Sequence, residues 1–227
     1  MAVKVKDQKS KLDRTQVLSA AFDVVDRDGL DALTIRHLAA QLGVTPMALY
    51  WHFADKQALL DALVDSMWAD AKDHLATSPA SSDPMDEFQR LIQALVSAFR
   101  KHPTLAVLAP FRAIECEAGL DITEGALQML SQLGFTPRQS AFAARMALTS
   151  AIMLVSTQPG IESPDNDDRD ELMRAKRAAI ATLAPQRYPF LIAAGPDLID
   201  CDDPENYYAA GIEMILAGVV AASAAVG

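Results

Sequence analysis

Two short stretches of helical periodicity, separated by a glycine, constrain the N-terminal part of this 227-residue chain more than any other feature. Residues 34–42 begin at a Thr, which favours an N-cap, and carry apolar side chains at helical spacing. Gly43 ends this stretch, and Thr45 with Pro46 begins a second one that reaches residue 51, since Pro suits the first helical position. A longer helix over residues 14–28 precedes the pair. The pattern is typical of a helix-turn-helix.

Helical periodicity continues along the rest of the chain, and no stretch alternates as a strand would. We expect further helices at 56–75, 85–100, 105–118, 123–133, 137–156, 169–183 and 205–225. An acidic loop is expected at 159–168, and an irregular, proline-containing segment at 185–204. The prediction is an all-α protein of about ten helices. Residues 12–60 form a three-helix DNA-binding domain, with the motif at about 34–53, and residues 61–227 form a larger helical domain.

Charge is distributed unevenly between these two parts. The chain carries −10 at pH 7, yet residues 1–60 hold eight basic and seven acidic residues, against twelve and twenty-three in residues 61–227. Lys4, Lys6, Lys9 and Lys11 form a basic arm at the N-terminus. A near-neutral N-terminal part with such a basic arm is compatible with DNA binding. The arm is either a solvated tail or a minor-groove contact.

The second short helix carries more large side chains than so short an element can bury. Leu49 and Phe53 suffice to hold it to a core, which leaves aromatic residues exposed and favours a binding surface. Three alternatives stay open at this point. Met47 and Trp51 would close the small core, and His52 would be an ordinary surface residue. Arg36, on the first short helix, would pair with Asp31 or Asp55.

The stretch LTIRHLAAQLGVTPMALYWHFADKQALLDAL, residues 33–63, closely resembles the DNA-binding domain of the tetracycline-repressor (TetR) family, and ALYWHFADKQALL is its most specific part. A weaker resemblance continues through QLGFTPRQ, residues 132–139, and the last helix near residues 212–218. The resemblance implies a homodimeric repressor that binds a double-stranded DNA operator and is released by a small-molecule effector. The alternatives are an activator and a protein whose N-terminal domain binds a protein partner.

Position by position, the resemblance also implies which residues contact DNA. They are Thr34, Arg36, Thr45, Pro46, Met47, Ala48, Tyr50, His52 and Lys56, and Trp51 joins the set as an exposed aromatic residue beside them. Tyr50, His52 and Lys56 would contact phosphates. Arg36 is the one strong base-edge donor in the set, which predicts a guanine contact, whereas an apolar side chain such as Met47 suits thymine methyl groups.

The resemblance further implies a ligand pocket in the larger domain, although the same residues suit an ordinary core. The candidate lining residues are Trp68, Phe88, Ile92, Phe99, His102, Phe111, Arg112, Gln128, Met129, Phe142 and Arg145. Where family members that bind metal-chelated tetracycline keep a histidine, a glutamine and an acidic residue, this chain has Ala109, Ala126 and Thr157. We therefore expect a larger or more apolar effector, with no metal and no cofactor.

The helices expected at 137–156 and 205–225 are rich in small and apolar residues. A monomer would expose such a surface, which favours pairing, and the resemblance implies a four-helix dimer interface built from these two helices of each subunit. Ordinary core packing is the alternative. Two-fold symmetry predicts a near-palindromic operator.

Signatures of other protein classes are missing from the sequence. There is no GxGxxG, GxxxxGK[ST], HExxH or GxSxG, and the four histidines and two cysteines lack metal-ligand spacing. The acidic run at 165–171 lacks the glycine of a calcium loop. No apolar run reaches the roughly 18–20 residues of a membrane span, and the N-terminus is not a secretory signal. We expect a cytoplasmic regulator rather than an enzyme.

Overall fold

A computed structural model describes residues 12–159, 166–199, 201 and 203–224, and these residues form helices and connecting segments without a strand. The α-helices are α1 (Arg14–Asp28), α2 (Ile35–Gln41), α3 (Pro46–Tyr50), α4 (Lys56–Thr77), α5 (Pro84–Phe99), α6 (Pro103–Ala106), α7 (Ala109–Arg112), α8 (Glu117–Gln132), α9 (Pro137–Ser156), α10 (Asn166–Ala181), α11 (Pro189–Ile199) and α12 (Pro204–Ala224). The all-α prediction is confirmed. None of the described helices is both long and apolar enough to cross a membrane.

The chain divides into two compact units, an N-terminal unit of residues 1–63 and a C-terminal unit of residues 64–227. Helix α4 spans the division and contributes residues to both. A 3-10 turn, Leu30–Ala32, connects α1 to the segment before α2. The basic arm at residues 4–11 and most of the expected acidic loop lie outside the described residues.

Local hydrogen bonds determine where the helices of the N-terminal unit begin. The Asp13 carboxylate caps α1, and the Gln16 side chain accepts a hydrogen bond from the Asp13 N–H at 3.1 Å. At the start of α2, Thr34 Oγ1 accepts from the His37 N–H at 3.0 Å, so the expected N-cap is confirmed. Between α2 and α3, Gly43 has a φ of 65°, a left-handed conformation that glycine adopts without steric cost.

One small apolar core holds the N-terminal unit together. Leu33, Leu38, Leu49 and Leu59 are completely buried, and Phe53 is 3% exposed. Burial of a leucine or phenylalanine side chain contributes roughly 1.5–3 kcal/mol each. Helix α3 has only five residues, so its position depends on Leu49 and on Phe53 just beyond its end rather than on its own hydrogen bonds.

Helix α9 lies at the centre of the C-terminal unit, in contact with α5, α6, α7, α8 and α12. The core contains Trp68 of α4, which meets the ring of Phe99 edge to face with 5.4 Å between the ring centroids. The Trp68 indole Nε1 donates to the Ala109 carbonyl at 3.2 Å, so its polar atom is paired although the side chain is buried. These contacts join α4, α5 and the start of α7.

The expectation that residues 185–204 are irregular is wrong, because α11 occupies Pro189–Ile199. Pro189 stands at the first position of the helix, where its missing N–H costs nothing. Gly195 lies against α10, and a Cβ atom there would come within 3.0 Å of Cγ2 of Ile180. The glycine and Pro196 suggest a loop in isolation, but close packing on α10 favours the helix.

Two other boundaries differ from the expectation. The stretch 105–118 contains no long helix but the one-turn helices α6 and α7, and α8 begins at Glu117 instead of residue 123. Helix α10 begins at Asn166, within the run expected to be an acidic loop. The short elements α6, α7 and α11 raise the count of described α-helices above the expected ten.

Candidate nucleic-acid interface and ligand cavity

Large side chains on α3 and just beyond it point away from the core of the N-terminal unit. Met47 is 65% exposed, Tyr50 48% and Trp51 86%. Leu49 and Phe53 face inward, as expected, so the alternative in which Met47 and Trp51 close the core does not hold. An exposed aromatic and apolar surface of this kind on a small helical unit is typical of a binding surface.

The first residues of this surface have little hydrogen-bonding capacity. Thr45 occupies the N-cap position of α3 without a side-chain hydrogen bond to the helix, and Pro46 follows at the first position. Both are exposed, as is Met47, while Ala48 is half-buried. The surface therefore presents one hydroxyl group and three apolar side chains, which suits contact with base methyl groups more than bidentate hydrogen bonding.

Arg36 projects from α2 and is exposed. In the part of the chain that the structure describes, its guanidinium makes no ion pair with Asp31 or Asp55, so the alternative in which it is held by an acid is not observed. Asp55 instead caps α4, and its Oδ1 accepts from the Ala58 N–H at 2.8 Å. The Arg36 side chain is available for a ligand.

Lys56, at the start of α4, is half-buried, and its Nζ donates to the carbonyl of Leu30 at 3.0 Å. This hydrogen bond ties α4 to the 3-10 turn and leaves two ammonium donors. His52 is half-buried as well. The structure adds Arg14, which is not among the residues that the sequence predicts to contact DNA. Its guanidinium carbon lies 5.0 Å from the centroid of the Phe53 ring, which adds a cation beside the end of α3.

The C-terminal unit contains a cavity of about 340 Å³, at the lower end of the range for small-molecule sites, roughly 300–1,000 Å³. Its walls come from α4, α5, α8 and α9 and from the segment 110–114. The lining residues are Trp68, Phe88, Leu91, Ile92, Leu95, Pro110, Ala113, Ile114, Ile122, Thr123, Ala126, Leu127, Ala141, Ala144, Arg145, Leu148 and Thr149.

Four of the residues expected to line a pocket are brought together here: Trp68, Phe88, Ile92 and Arg145. The leucines of α5 and the small residues of α8 and α9 were missed. Periodicity marks them as apolar but does not distinguish a cavity wall from packed core, and an alanine such as Ala126 matters for the space that it leaves.

The structure places the other seven candidates away from the cavity. Phe99 is fully buried behind Trp68, and Phe111 is 72% exposed. Phe142 lies on a different face of α9, in the groove described below. The remaining four, which also do not line the cavity, are His102, Arg112, Gln128 and Met129.

Arg112 has a structural role in this arrangement. Its Nε and Nη2 donate to the two carboxylate oxygens of Asp65 at 2.8 and 2.9 Å, and its Nη1 donates to Glu115 at 2.9 Å. We call the two-bond contact the Arg112–Asp65 clamp. It joins α4 to α7, directly beside the cavity segment at 110–114, and its fork geometry is the strongest that arginine makes with a carboxylate.

An apolar groove runs between α9 and α12. Phe142 is 68% exposed, Met146 47% and Met214 77%, and these side chains border an open space of about 700 Å³ along the two packed helices. Gly218 faces the same space. Large exposed apolar side chains along two neighbouring helices indicate a surface that another protein covers.

Among the described lining residues there is no carboxylate, imidazole or thiol. The described residues also contain no group of three or more such side chains that could hold a metal ion. At the positions compared above, Ala126 forms part of the cavity wall, and the carbonyl of Ala109 accepts from Trp68. The donor set therefore does not fit a metal-chelated ligand.

Comparison with known proteins agrees with this anatomy. The family model described as bacterial regulatory proteins, tetR family, matches residues 17–63, and that of the tetracyclin repressor-like C-terminal domain matches residues 79–222. The tetracycline repressor protein class A from transposon 1721 of Escherichia coli is 29% identical over 219 residues, 92% of this chain and 91% of that protein.

Solved structures share the fold. A possible TetR family transcriptional regulator from Streptomyces coelicolor A3(2) superposes with a TM-score of 0.72 at 27% identity, covering 92% of this chain and 99% of the other. ActR of Streptomyces coelicolor in complex with actinorhodin superposes with a TM-score of 0.70 at 20% identity, covering 93% and 97%. With an exposed short helix in the N-terminal unit, a helical C-terminal unit and both family models matched, the chain belongs to the tetR family of bacterial regulatory proteins.

Proposed function

We propose that this regulator is a homodimeric repressor that binds a near-palindromic operator and leaves it when a small molecule fills the cavity. Residues 12–60 bind DNA, and residues 61–227 bind the effector and form the dimer. The observation that carries the proposal is the exposure of Met47, Tyr50 and Trp51 around a helix whose core contacts are already complete. The protein acts in the cytoplasm and is not an enzyme.

The proposed DNA surface consists of Thr34, Arg36, Thr45, Pro46, Met47, Ala48, Tyr50, Trp51, His52 and Lys56. Arg36 reads a guanine, because a guanidinium pairs with guanine O6 and N7 and this one has no acidic partner among the described residues. The residues that open α3 contact thymine methyl groups. Tyr50, His52 and Lys56 position the unit on phosphates.

The groove between α9 and α12 is the proposed dimer surface. An isologous contact between two copies would bury Phe142, Met146 and Met214. It would also place two copies of α3, one from each subunit, on one DNA duplex. Because α4 contains residues of both units, it is the proposed link between the cavity and the DNA surface. The effector must favour the state that does not bind DNA, and operator DNA must weaken effector binding by the same factor.

Selection of random DNA on the purified protein tests the proposal. We expect a palindromic site whose affinity falls steeply with salt. In a plot of the logarithm of the binding constant against the logarithm of the salt concentration, each phosphate contact should contribute a slope of about −0.9. Arg36→Ala should relax the preference at one base pair per half-site and cost roughly 1–3 kcal/mol. Gln41→Ala, an exposed change at the end of the same helix, is the matched control and should leave the site unchanged.

Failure to enrich any site with folded protein would contradict the proposal. A reporter placed behind the selected operator then separates repression from activation. The tetracycline repressor among the relatives supports repression, so we expect reporter output to rise when the gene is removed. A fall would identify an activator.

A further inference from the structure

The cavity of the C-terminal unit has one chemical asymmetry. Its lining is apolar except for Thr123, Thr149 and Arg145, and Arg145 is the only charged residue among the described lining residues. The Thr123 hydroxyl is already within 3.4 Å of the Ala113 carbonyl. Arg145 and Thr149 stand four residues apart on α9 and therefore share one face of the helix. The polar part of the cavity is a guanidinium with a neighbouring hydroxyl.

Arg145 also differs from those cations of its unit that pair with an acidic side chain. Residues 61–227 hold twelve basic and twenty-three acidic residues, so carboxylates are in surplus. Cations that do have an acidic partner are Lys72, Arg90, Arg100, Lys101 and Arg112. In the described ranges, Arg145 makes neither an ion pair nor a hydrogen bond. It is exposed as well as part of the lining, so the residue lies at the edge of the cavity and not at its floor.

We propose that the effector is an amphipathic organic anion. Its apolar body, a compound of two or three rings in size, occupies the cavity against Trp68 and Phe88. Its carboxylate or similar acidic group stays at the mouth and pairs with Arg145, with the Thr149 hydroxyl as a second donor. This inference rests on the proposed function, since it names the class of molecule that would release the operator.

Three physical points favour this class of ligand. A guanidinium presents two parallel N–H donors that match a carboxylate. Burial of the ring system supplies affinity in proportion to its apolar area. An anion that remains at the mouth keeps part of its hydration, so the ion pair avoids the desolvation cost of a fully buried one. A cation would be repelled by Arg145, and a metal chelate would find no protein ligand among the lining residues.

A pair of fluorescent probes tests the charge requirement. 8-Anilinonaphthalene-1-sulfonate has an aromatic body and an anionic group, and N-phenyl-1-naphthylamine has the same body without the anion. We expect Arg145→Gln to weaken binding of the sulfonate about tenfold, which corresponds to about 1.4 kcal/mol. Binding of the neutral probe should change less than twofold. Increasing the salt concentration should weaken binding of the sulfonate and leave binding of the neutral probe unchanged.

Two further variants tie the result to this cavity. Arg174→Gln on α10 removes the same charge from an exposed position away from the lining, and should leave both probes bound. Ala144→Trp, at a half-exposed lining position, fills the cavity and should weaken both. Circular dichroism establishes that each variant is folded.

The outcomes separate this inference from the proposed function, because operator binding is measured on the same proteins without a probe. Three results would each overturn the inference while operator binding stands. Arg145→Gln could weaken binding of both probes equally, or it could leave binding of the sulfonate unchanged. The sulfonate could also still bind to Ala144→Trp. Loss of sulfonate affinity in a protein that binds no operator would support the ligand class and refute the regulator.

Discussion

Replacing Arg112 by Met should destabilise the C-terminal unit by about 1–2 kcal/mol. The substitution removes both hydrogen bonds of the Arg112–Asp65 clamp, at 2.8 and 2.9 Å, and keeps most of the apolar stem. A hydrogen bond to a charged group contributes roughly 1.5–3 kcal/mol in a protected site. The Asp65 side chain is 37% exposed and that of Arg112 18%, so solvent screening reduces the total to the value given.

The assay is urea unfolding of four proteins, wild type, Arg112→Met, Asp65→Asn and the double variant, which isolates the coupling energy of the pair. In thermal unfolding, the single Arg112 change should lower the midpoint by about 2–8 °C for a unit of this size. The same cycle on Lys72 and Asp121 is the matched control. That ion pair also joins α4 to a neighbouring helix, but both side chains are about half exposed, at 47% and 53%.

We expect a coupling energy below about 1 kcal/mol for the control pair. If the Arg112–Asp65 coupling is no larger than that of the control, the reasoning from burial and fork geometry is refuted. If it is larger, the clamp is a firm connection between α4 and the segment beside the cavity. In Arg112→Met, the release of operator DNA by the effector should then weaken more than the affinity for the effector does.

Three smaller predictions concern packing, thiol chemistry and pH. In urea unfolding, Gly119→Ala should cost roughly 1–3 kcal/mol, since its Cβ would lie 2.6 Å from a backbone oxygen, whereas Gly125→Ala on the same helix should stabilise by about 0.5–1 kcal/mol. Burial raises the pKa of the Cys116 thiol, so alkylation near neutral pH should be slow until urea unfolds the chain; fast labelling of folded protein would contradict this. The Arg100 guanidinium lowers the pKa of the Glu205 carboxyl from its ordinary 4.5, so this pair stabilises the fold above that pH and loses its effect as pH falls through the lowered pKa. The thermal midpoints of wild type and Glu205→Gln should differ at about pH 7, and the difference should shrink as the pH falls below 4.5.

Local sequence signals were sufficient for the N-terminal unit. Helix α1 has the bounds that its periodicity and Gly29 predict, and the caps of α2 and α3 lie at Thr34 and Thr45 as expected. Each signal acts within four residues: a side chain caps a nearby N–H, a glycine adopts a positive φ, or a proline begins a helix. Such interactions form in any context, which is why these boundaries were predictable.

The same local reasoning failed where distant residues decide the structure. Helix α11 contains Gly195 and Pro196, and its helical state depends on packing against α10. Periodicity gave no indication that Arg112 would reach Asp65, because the two are 47 residues apart. Glycine, proline and charged residues are therefore poor guides where a tertiary contact outweighs a local propensity cost, which is about 1 kcal/mol for glycine and about 3 kcal/mol for proline in a helix interior.

By itself, the sequence determined the all-α class and the helix-turn-helix. Only the tertiary structure decided which apolar side chains became core, groove or cavity wall. Trp68, Phe99 and Phe142 look alike as apolar positions on helices, yet one lines the cavity, one is buried behind it and one faces the groove. The physical reason is that periodicity identifies the apolar face of a helix, whereas the neighbour that covers this face is set by the packing of residues far apart in the chain.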